Sequence, residues 1–63
     1  MRADLKGALK AINKSWKSFV HNGKPMTKDE VEKCLKYGIA KGYDHTGQLT
    51  DQDIDNAIKG KHP

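Results

Sequence analysis

Residues 27–42 read TKDEVEKCLKYGIAKG and decide the fold. Thr27 is a favourable helix N-cap, and Glu30 three positions later completes a capping-box pattern, in which each side chain satisfies a free backbone N–H group of the other residue. Apolar residues then recur with a helical period as far as Gly42, and glycine is the usual residue just beyond a helix C-terminus. The stretch therefore predicts an amphipathic helix over residues 28–41.

Two further residues, Gly38 and Met26, refine the prediction. Gly38 lies on the face itself, where a glycine costs about 1 kcal/mol of helix stability relative to alanine. Its missing side chain is expected to let another helix approach closely. Met26 precedes the cap and is expected to pack on Val31 as a hydrophobic staple.

The chain before this stretch predicts another helix, over residues 2–21. Its apolar residues are spaced four, three, four and three apart, which is the stripe of an amphipathic helix. Asn22 and Gly23 tolerate left-handed φ and predict its end, and Pro25 cannot continue it. The same spacing fits a coiled-coil seam over about two heptads, so a dimer through this helix is an alternative.

A short third helix is predicted over residues 51–59. Thr50 is its N-cap, Asp53 takes the capping-box position, and Gly60 ends it. Residues 42–49 form the loop before it.

Together these elements predict an all-α fold, a compact three-helix bundle. At 63 residues, with 35% hydrophobic and 32% charged residues, the chain has room for a single domain with a small core. We expect that domain to span residues 1–60 and residues 61–63 to form a flexible tail. The predicted core residues are Leu5, Leu9, Ile12, Trp16, Phe19, Val31, Cys34, Leu35, Ile39, Leu49, Ile54 and Ile58.

Composition excludes several classes of protein. The longest apolar run is two residues, whereas a transmembrane helix needs about 20 and a signal peptide about 7–15. We therefore expect a soluble, cytoplasmic protein. The lone Cys34 cannot form an internal disulfide and is interpreted as a small core residue.

Positive charge is concentrated at the start of the chain. Residues 1–28 carry a net charge of +6 and residues 29–63 carry −2, which together make the net charge of +4. On a helical wheel, four lysines of the predicted first helix share an arc about 80° wide, with no acidic residue four positions away. They are Lys6, Lys10, Lys14 and Lys17. Two interpretations remain open, a solvated or internally balanced face and a working electrostatic surface.

No catalytic or metal-binding pattern is visible. The three histidines are far apart in sequence, and neither a cofactor nor a metal is predicted. Residues 42–53 resemble an EF-hand loop in outline, with Gly47 at the sixth place. However, Gly42 stands where that family has Asp, and Asp53 stands where it has a bidentate Glu. We expect a plain interhelical loop there. An eight-residue loop before an acidic third helix also argues against a DNA-binding helix-turn-helix.

The functional expectation is a small, non-catalytic protein-interaction module, with self-association as one form of it. A marginal core would gain from burying more apolar surface, and we expect that surface near Tyr37 or Tyr43. The alternative is a nucleic-acid-binding accessory protein in which the four lysines contact phosphates. Contact with anionic lipid is a third alternative.

Overall fold

A computed structural model of the chain describes residues 4–63. Short 3₁₀ turns occupy Trp16–Ser18 and Thr46–Gln48. The helices are α1 (Leu5–Lys10), α2 (Ile12–Ser15), α3 (Lys28–Ala40) and α4 (Asp51–Ile58), and the strands are β1 (Val20–His21) and β2 (Lys24–Pro25).

Both ends of α3 and α4 carry the signals that the sequence predicts. Thr27 and Glu30 form a complete capping box at α3, and Thr50 and Asp53 form another at α4. These two predicted helices are therefore confirmed to within one residue at each boundary. Because the free N–H groups of the first turn are bonded by side chains, each helix has a defined start.

Glycines close both helices by the same hydrogen-bond pattern. Beyond α3, Gly42 has a φ of +86°, and the Tyr43 amide donates to the Gly38 carbonyl at 2.9 Å. Beyond α4, Gly60 has a φ of +83°, and the Lys61 amide donates to the Asn56 carbonyl at 2.9 Å. This six-to-one bond defines the Schellman motif, which satisfies carbonyls that the helix leaves free.

The predicted helix over residues 2–21 is wrong as a continuous element, and its first two residues lie outside the described part of the chain. The helix breaks at Ala11, whose φ of −100° and ψ of 25° are not helical. Ser15 compensates for the break by donating its hydroxyl to the Ala8 carbonyl at 3.0 Å. Beyond the break the chain continues as α2 and a 3₁₀ turn.

Asn22 and Gly23 form a hairpin turn rather than a helix end. Their φ values are +55° and +75°, as a type I′ turn requires, and β1 pairs antiparallel with β2. Pro25 is tolerated because it lies opposite Val20, and Met26 in the next pair donates its amide to the Phe19 carbonyl at 3.2 Å. In an antiparallel ladder the pair between two bonded pairs is not hydrogen-bonded, so no ladder N–H is needed from proline.

The core lies between α1, α3 and α4. Leu5, Val31 and Leu35 are completely buried, and Met26 is also buried. A methyl group at Gly38 would lie 2.9 Å from Leu5 Cδ1, so the predicted close approach to this glycine is confirmed. The missing side chain is what lets α1 pack directly on α3.

The described residues are mostly α-helical with a small two-stranded sheet. The three-helix bundle is not confirmed, because residues 5–18 form two short helices and a 3₁₀ turn. No helix within residues 4–63 has both the length and the apolar character to cross a bilayer.

Candidate interaction surface

An apolar groove opens between the hairpin, α3 and α4. Its volume is about 450 Å³, and we refer to it below as the groove. It is lined by Ser18, Phe19, Val20, Met26, Cys34, Leu35, Thr46, Leu49 and Ile54. A cavity of this size, lined mainly by hydrophobic side chains, has room for apolar side chains of a partner.

Val20 stands at the rim of the groove. It is 60% exposed, and among residues 4–63 it is the one large hydrophobic residue exposed to this degree. A single exposed apolar residue is ordinary on a protein surface, but one that adjoins an apolar cavity extends it into a larger contact surface.

His21 holds the hairpin wall of the groove against α4. Its side chain is only 11% exposed, and its Nε2 lies 3.3 Å from Asp55 Oδ1. Its Nδ1 lies 3.9 Å from Asp51 Oδ1, one helical turn earlier. Two carboxylates of α4 therefore position β1, and with it the rim residue Val20.

A buried carboxylate joins the C-terminal end of α3 to the start of α4. Asp53 is 4% exposed and accepts hydrogen bonds from Lys41 Nζ at 2.8 Å and from the Tyr43 hydroxyl at 3.0 Å. The Thr50 amide donates to the same carboxylate at 3.1 Å. These bonds lower the pKa of Asp53 to about 2, and the bond from Lys41 has the largest effect. The same pairing raises the pKa of Lys41. Asp53 therefore keeps its charge over the physiological range and fixes the helices that form the far wall of the groove.

Cys34 lines the groove but is a poor nucleophile. Burial raises the pKa of its thiol to about 11, with a smaller contribution from the charge of Glu30. Since the thiolate is the nucleophilic form, the protonated thiol acts here as an apolar lining group. This placement agrees with its interpretation as a small buried residue.

The four lysines of the sequence analysis are all exposed, but they do not lie on one helix. Lys6 and Lys10 belong to α1, Lys14 to α2 and Lys17 to the following 3₁₀ turn. Within residues 4–63, no carboxylate lies within 4.0 Å of any of them. The single arc of the helical wheel therefore does not describe them, because they are spread over two short helices and a 3₁₀ turn.

The predicted core residues all pack together, some less completely than expected. Leu5, Val31, Cys34 and Leu35 are buried. The other eight are partly buried against this cluster: Leu9, Ile12, Trp16, Phe19, Ile39, Leu49, Ile54 and Ile58.

The prediction that apolar surface is exposed near Tyr37 is wrong. Tyr37 is 8% exposed, and its hydroxyl accepts a hydrogen bond from Asn56 Nδ2 at 3.3 Å. This bond joins α3 to α4, a contact between elements that the helical wheel of α3 alone does not contain. Tyr43 is half-buried and bonded to Asp53.

The loop over residues 42–53 is closed by protein hydrogen bonds. Gln48 Oε1 accepts from the backbone amides of Asp44, at 2.6 Å, and His45, at 3.2 Å. Both oxygens of Asp53, the last place of the EF-hand-like pattern, are bonded by side chains or backbone. Within the described part of the chain, no three His, Cys, Asp or Glu side chains are grouped as metal ligands.

No protein-family model matches the chain, and no curated protein or solved structure is significantly similar to it. Function is therefore inferred from the chemistry of the groove and of the exposed cations.

Sequence reasoning missed the groove because it missed the hairpin. Asn22-Gly23 between Val20-His21 and Lys24 is the strongest short signal for a two-residue hairpin, and it could have been found. The Asp53 contacts with Lys41 and Tyr43 had no such signal, because they depend on how α3 and α4 cross.

Proposed function

We propose that the protein is a non-catalytic interaction module that binds an apolar side chain of a protein partner in the groove. The observation that carries the proposal is an apolar cavity of about 450 Å³ with the exposed Val20 at its rim. Burying apolar surface contributes about 25 cal/mol per Å², which offsets part of the entropy that association costs.

The charge of the chain indicates the character of the partner. The net charge is +4, and Lys17 adjoins the groove residue Ser18 in sequence without a carboxylate partner among residues 4–63. Complementary charge accelerates encounter and sets orientation more than it sets affinity. The occupant is therefore a segment of a partner protein that combines an apolar anchor with acidic neighbours.

Selection from a phage-displayed library of random twelve-residue peptides tests this function. Peptides selected on the wild-type protein are expected to bind Val20→Glu about tenfold or more weakly, because a carboxylate then stands at the rim of an apolar site. Asn13→Glu is the matched control, since it adds the same charge at an exposed residue that does not line the groove. Its binding should match that of the wild type.

Two results would contradict the proposal. One is that no peptide is enriched over an uncoated surface, and the other is that the selected peptides bind Val20→Glu as tightly as the wild type. Sedimentation of the free protein addresses the second copy as occupant. If the wild type is a dimer that Val20→Glu dissociates, the occupant of the groove is another copy of this chain and not a partner protein.

Nucleic-acid binding is a second candidate, favoured by the exposed lysines. Lys6, Lys10, Lys14 and Lys17 have no carboxylate within 4.0 Å among residues 4–63, so phosphates could pair with them at no cost in broken ion pairs. If all four engage duplex DNA, the slope of log K against log salt is expected to be about −3 to −4.

A pair of quadruple variants separates this candidate from general electrostatic attraction. Replacing the four lysines with Gln should abolish DNA binding and leave the helical circular dichroism unchanged. The matched control replaces Lys28, Lys33, Lys59 and Lys61, which are also exposed, and should retain binding. No binding at 50 mM salt, or equal loss in both variants, would eliminate the candidate.

A further inference from the structure

The outer edge of β1 is open at Val20. The two-residue turn makes His21 and Lys24 the closing pair of the hairpin, and Met26 donates its amide to the Phe19 carbonyl at 3.2 Å. Val20 lies between these bonded pairs, so its own N–H and C=O point away from β2. Neither group is hydrogen-bonded to any residue in the described range.

This edge lies beside the groove. Val20, whose backbone forms the open edge, also lines the cavity, as does its neighbour Phe19. An unpaired strand edge is a template for another extended chain, and in such a chain every second side chain points to the same face. A strand that pairs with Val20 can therefore direct a side chain toward the cavity, which is how strand-addition sites combine backbone affinity with side-chain selectivity.

The charges around the edge are compatible with an acidic strand. Lys17 and Lys24 are exposed and have no carboxylate within 4.0 Å among residues 4–63. The carboxylates on the α4 side, Asp51 and Asp55, face His21. The formal charges on the hairpin and on the turn before it are positive, and the negative charges lie on α4.

We propose that Val20 receives an extended, acidic segment of a partner protein as a third strand, with an apolar side chain of that segment in the groove. This inference rests on the proposed function and specifies the conformation of the ligand. It excludes an amphipathic helix, which would bury its own backbone groups and leave the Val20 edge unused.

The test compares two substitutions at Val20 with peptides from the displayed library. Val20→Pro removes the outward N–H, and an edge position without a ladder bond tolerates proline. Phe19 already has a φ of −91° and a ψ of 131°, the extended conformation that a residue before proline adopts. Val20→Thr keeps the N–H and the β-branched shape. We expect Val20→Pro to weaken binding about tenfold and Val20→Thr to change it by less than about threefold.

A second measurement does not depend on how the proline variant folds. Each selected peptide is N-methylated at single positions, and binding to the wild-type protein is measured for each. Methylation of a peptide residue whose N–H group faces Val20 should weaken binding about tenfold. Methylation of the alternate residues, whose N–H groups point away from Val20, should have little effect.

The outcomes separate this inference from the proposed function. Apolar residues at every second position of the peptides, with alternating sensitivity to N-methylation, support the third strand. Peptides with apolar residues three and four apart, or with uniform sensitivity to methylation, overturn strand addition and leave the interaction module in place. Failure to select any peptide overturns both.

Discussion

The helices in the two halves of the chain are bounded by different residues and hydrogen bonds. In residues 27–60, side chains cap the start of α3 and α4, and glycines with positive φ close their ends. In residues 4–26, Asp4 caps α1, but the N-cap of α2, Ala11, offers no side-chain hydrogen bond. The first half accordingly forms short helices, a 3₁₀ turn and a hairpin.

The difference shows what apolar periodicity does and does not determine. Leu9, Ile12 and Trp16 pack against the core although a helix break separates Leu9 from the other two. A four-three spacing thus identifies the buried face, whereas capping residues determine how far one helix extends. The groove lies where these two kinds of structure meet, with a hairpin wall and a helical wall.

Truncation of a leucine in each half should have the largest and most unequal effects. Leu35 is completely buried on α3, and Leu35→Ala is expected to cost about 2–5 kcal/mol. A core of this size supplies about 3–5 kcal/mol in total, so that variant should be largely unfolded. Leu9→Ala, at a partly buried position of α1, should cost about 1–2 kcal/mol. Urea denaturation followed by circular dichroism measures both values. Equal losses would contradict the expected difference in stability between the two positions.

Removal of the charge of Asp53 should come next. Asp53→Asn replaces an acceptor oxygen with a donor opposite Lys41 or Tyr43, so we expect a loss of about 2–3 kcal/mol. Asp51→Asn is the matched control, because it removes a charge from the same helical turn at a side chain that is 87% exposed. Its loss should be about 0.5 kcal/mol or less. A similar loss for both variants would show that the helix dipole, and not the buried contacts, makes Asp53 important.

The same carboxylate predicts a pH dependence of stability. The pKa of Asp53 is lowered to about 2 in the folded protein, compared with about 3.9 in an unfolded chain. The unfolded state therefore binds the proton first as the pH falls, and the stability that Asp53 contributes is lost between about pH 4 and pH 2. The free energy of unfolding of the wild type, minus that of Asp53→Asn, should decrease over this range. A constant difference would contradict the assignment.

Gly38 lies at one of the contacts between the two halves, and its substitution should have a smaller effect. Gly38→Ala gains about 1 kcal/mol of helix propensity but places a methyl group 2.9 Å from Leu5 Cδ1 and 3.2 Å from Leu49 Cδ2. Overpacking costs about 1–3 kcal/mol, so the net change should be a loss of about 1 kcal/mol. In a Leu5→Val background the loss should shrink, because the shorter side chain leaves room. If Gly38→Ala stabilises the protein, the approach of Leu5 and Leu49 to Gly38 is not tight.

The sequence predicts the second half better than the first for a physical reason. The Thr27 and Thr50 capping boxes and the closing glycines are local signals, so they identify α3 and α4 without tertiary information. The break at Ala11 has no such signal, because the Ser15–Ala8 bond that accompanies it joins residues seven apart and belongs to no capping pattern.

The candidate surface follows the same division. Asn22-Gly23 indicates a hairpin from sequence alone, and with it an exposed edge at Val20. The groove needs the tertiary arrangement, because Phe19, Leu35 and Ile54 come from three separate elements. The burial of Tyr37 likewise depends on α4 lying against α3.

Amide hydrogen exchange of Val20, measured with and without a selected peptide, tests the central claim most directly. An N–H that points away from β2 and has no partner in the described range should exchange in the free protein at nearly the rate of an unstructured peptide. Amides in the middle of α3, such as that of Leu35, should be the most protected. On peptide binding, the exchange of the Val20 amide should slow more than that of any other residue in the hairpin. A Val20 amide that is already protected in the free protein, or that exchanges equally fast in the complex, would contradict the open edge and the site built on it.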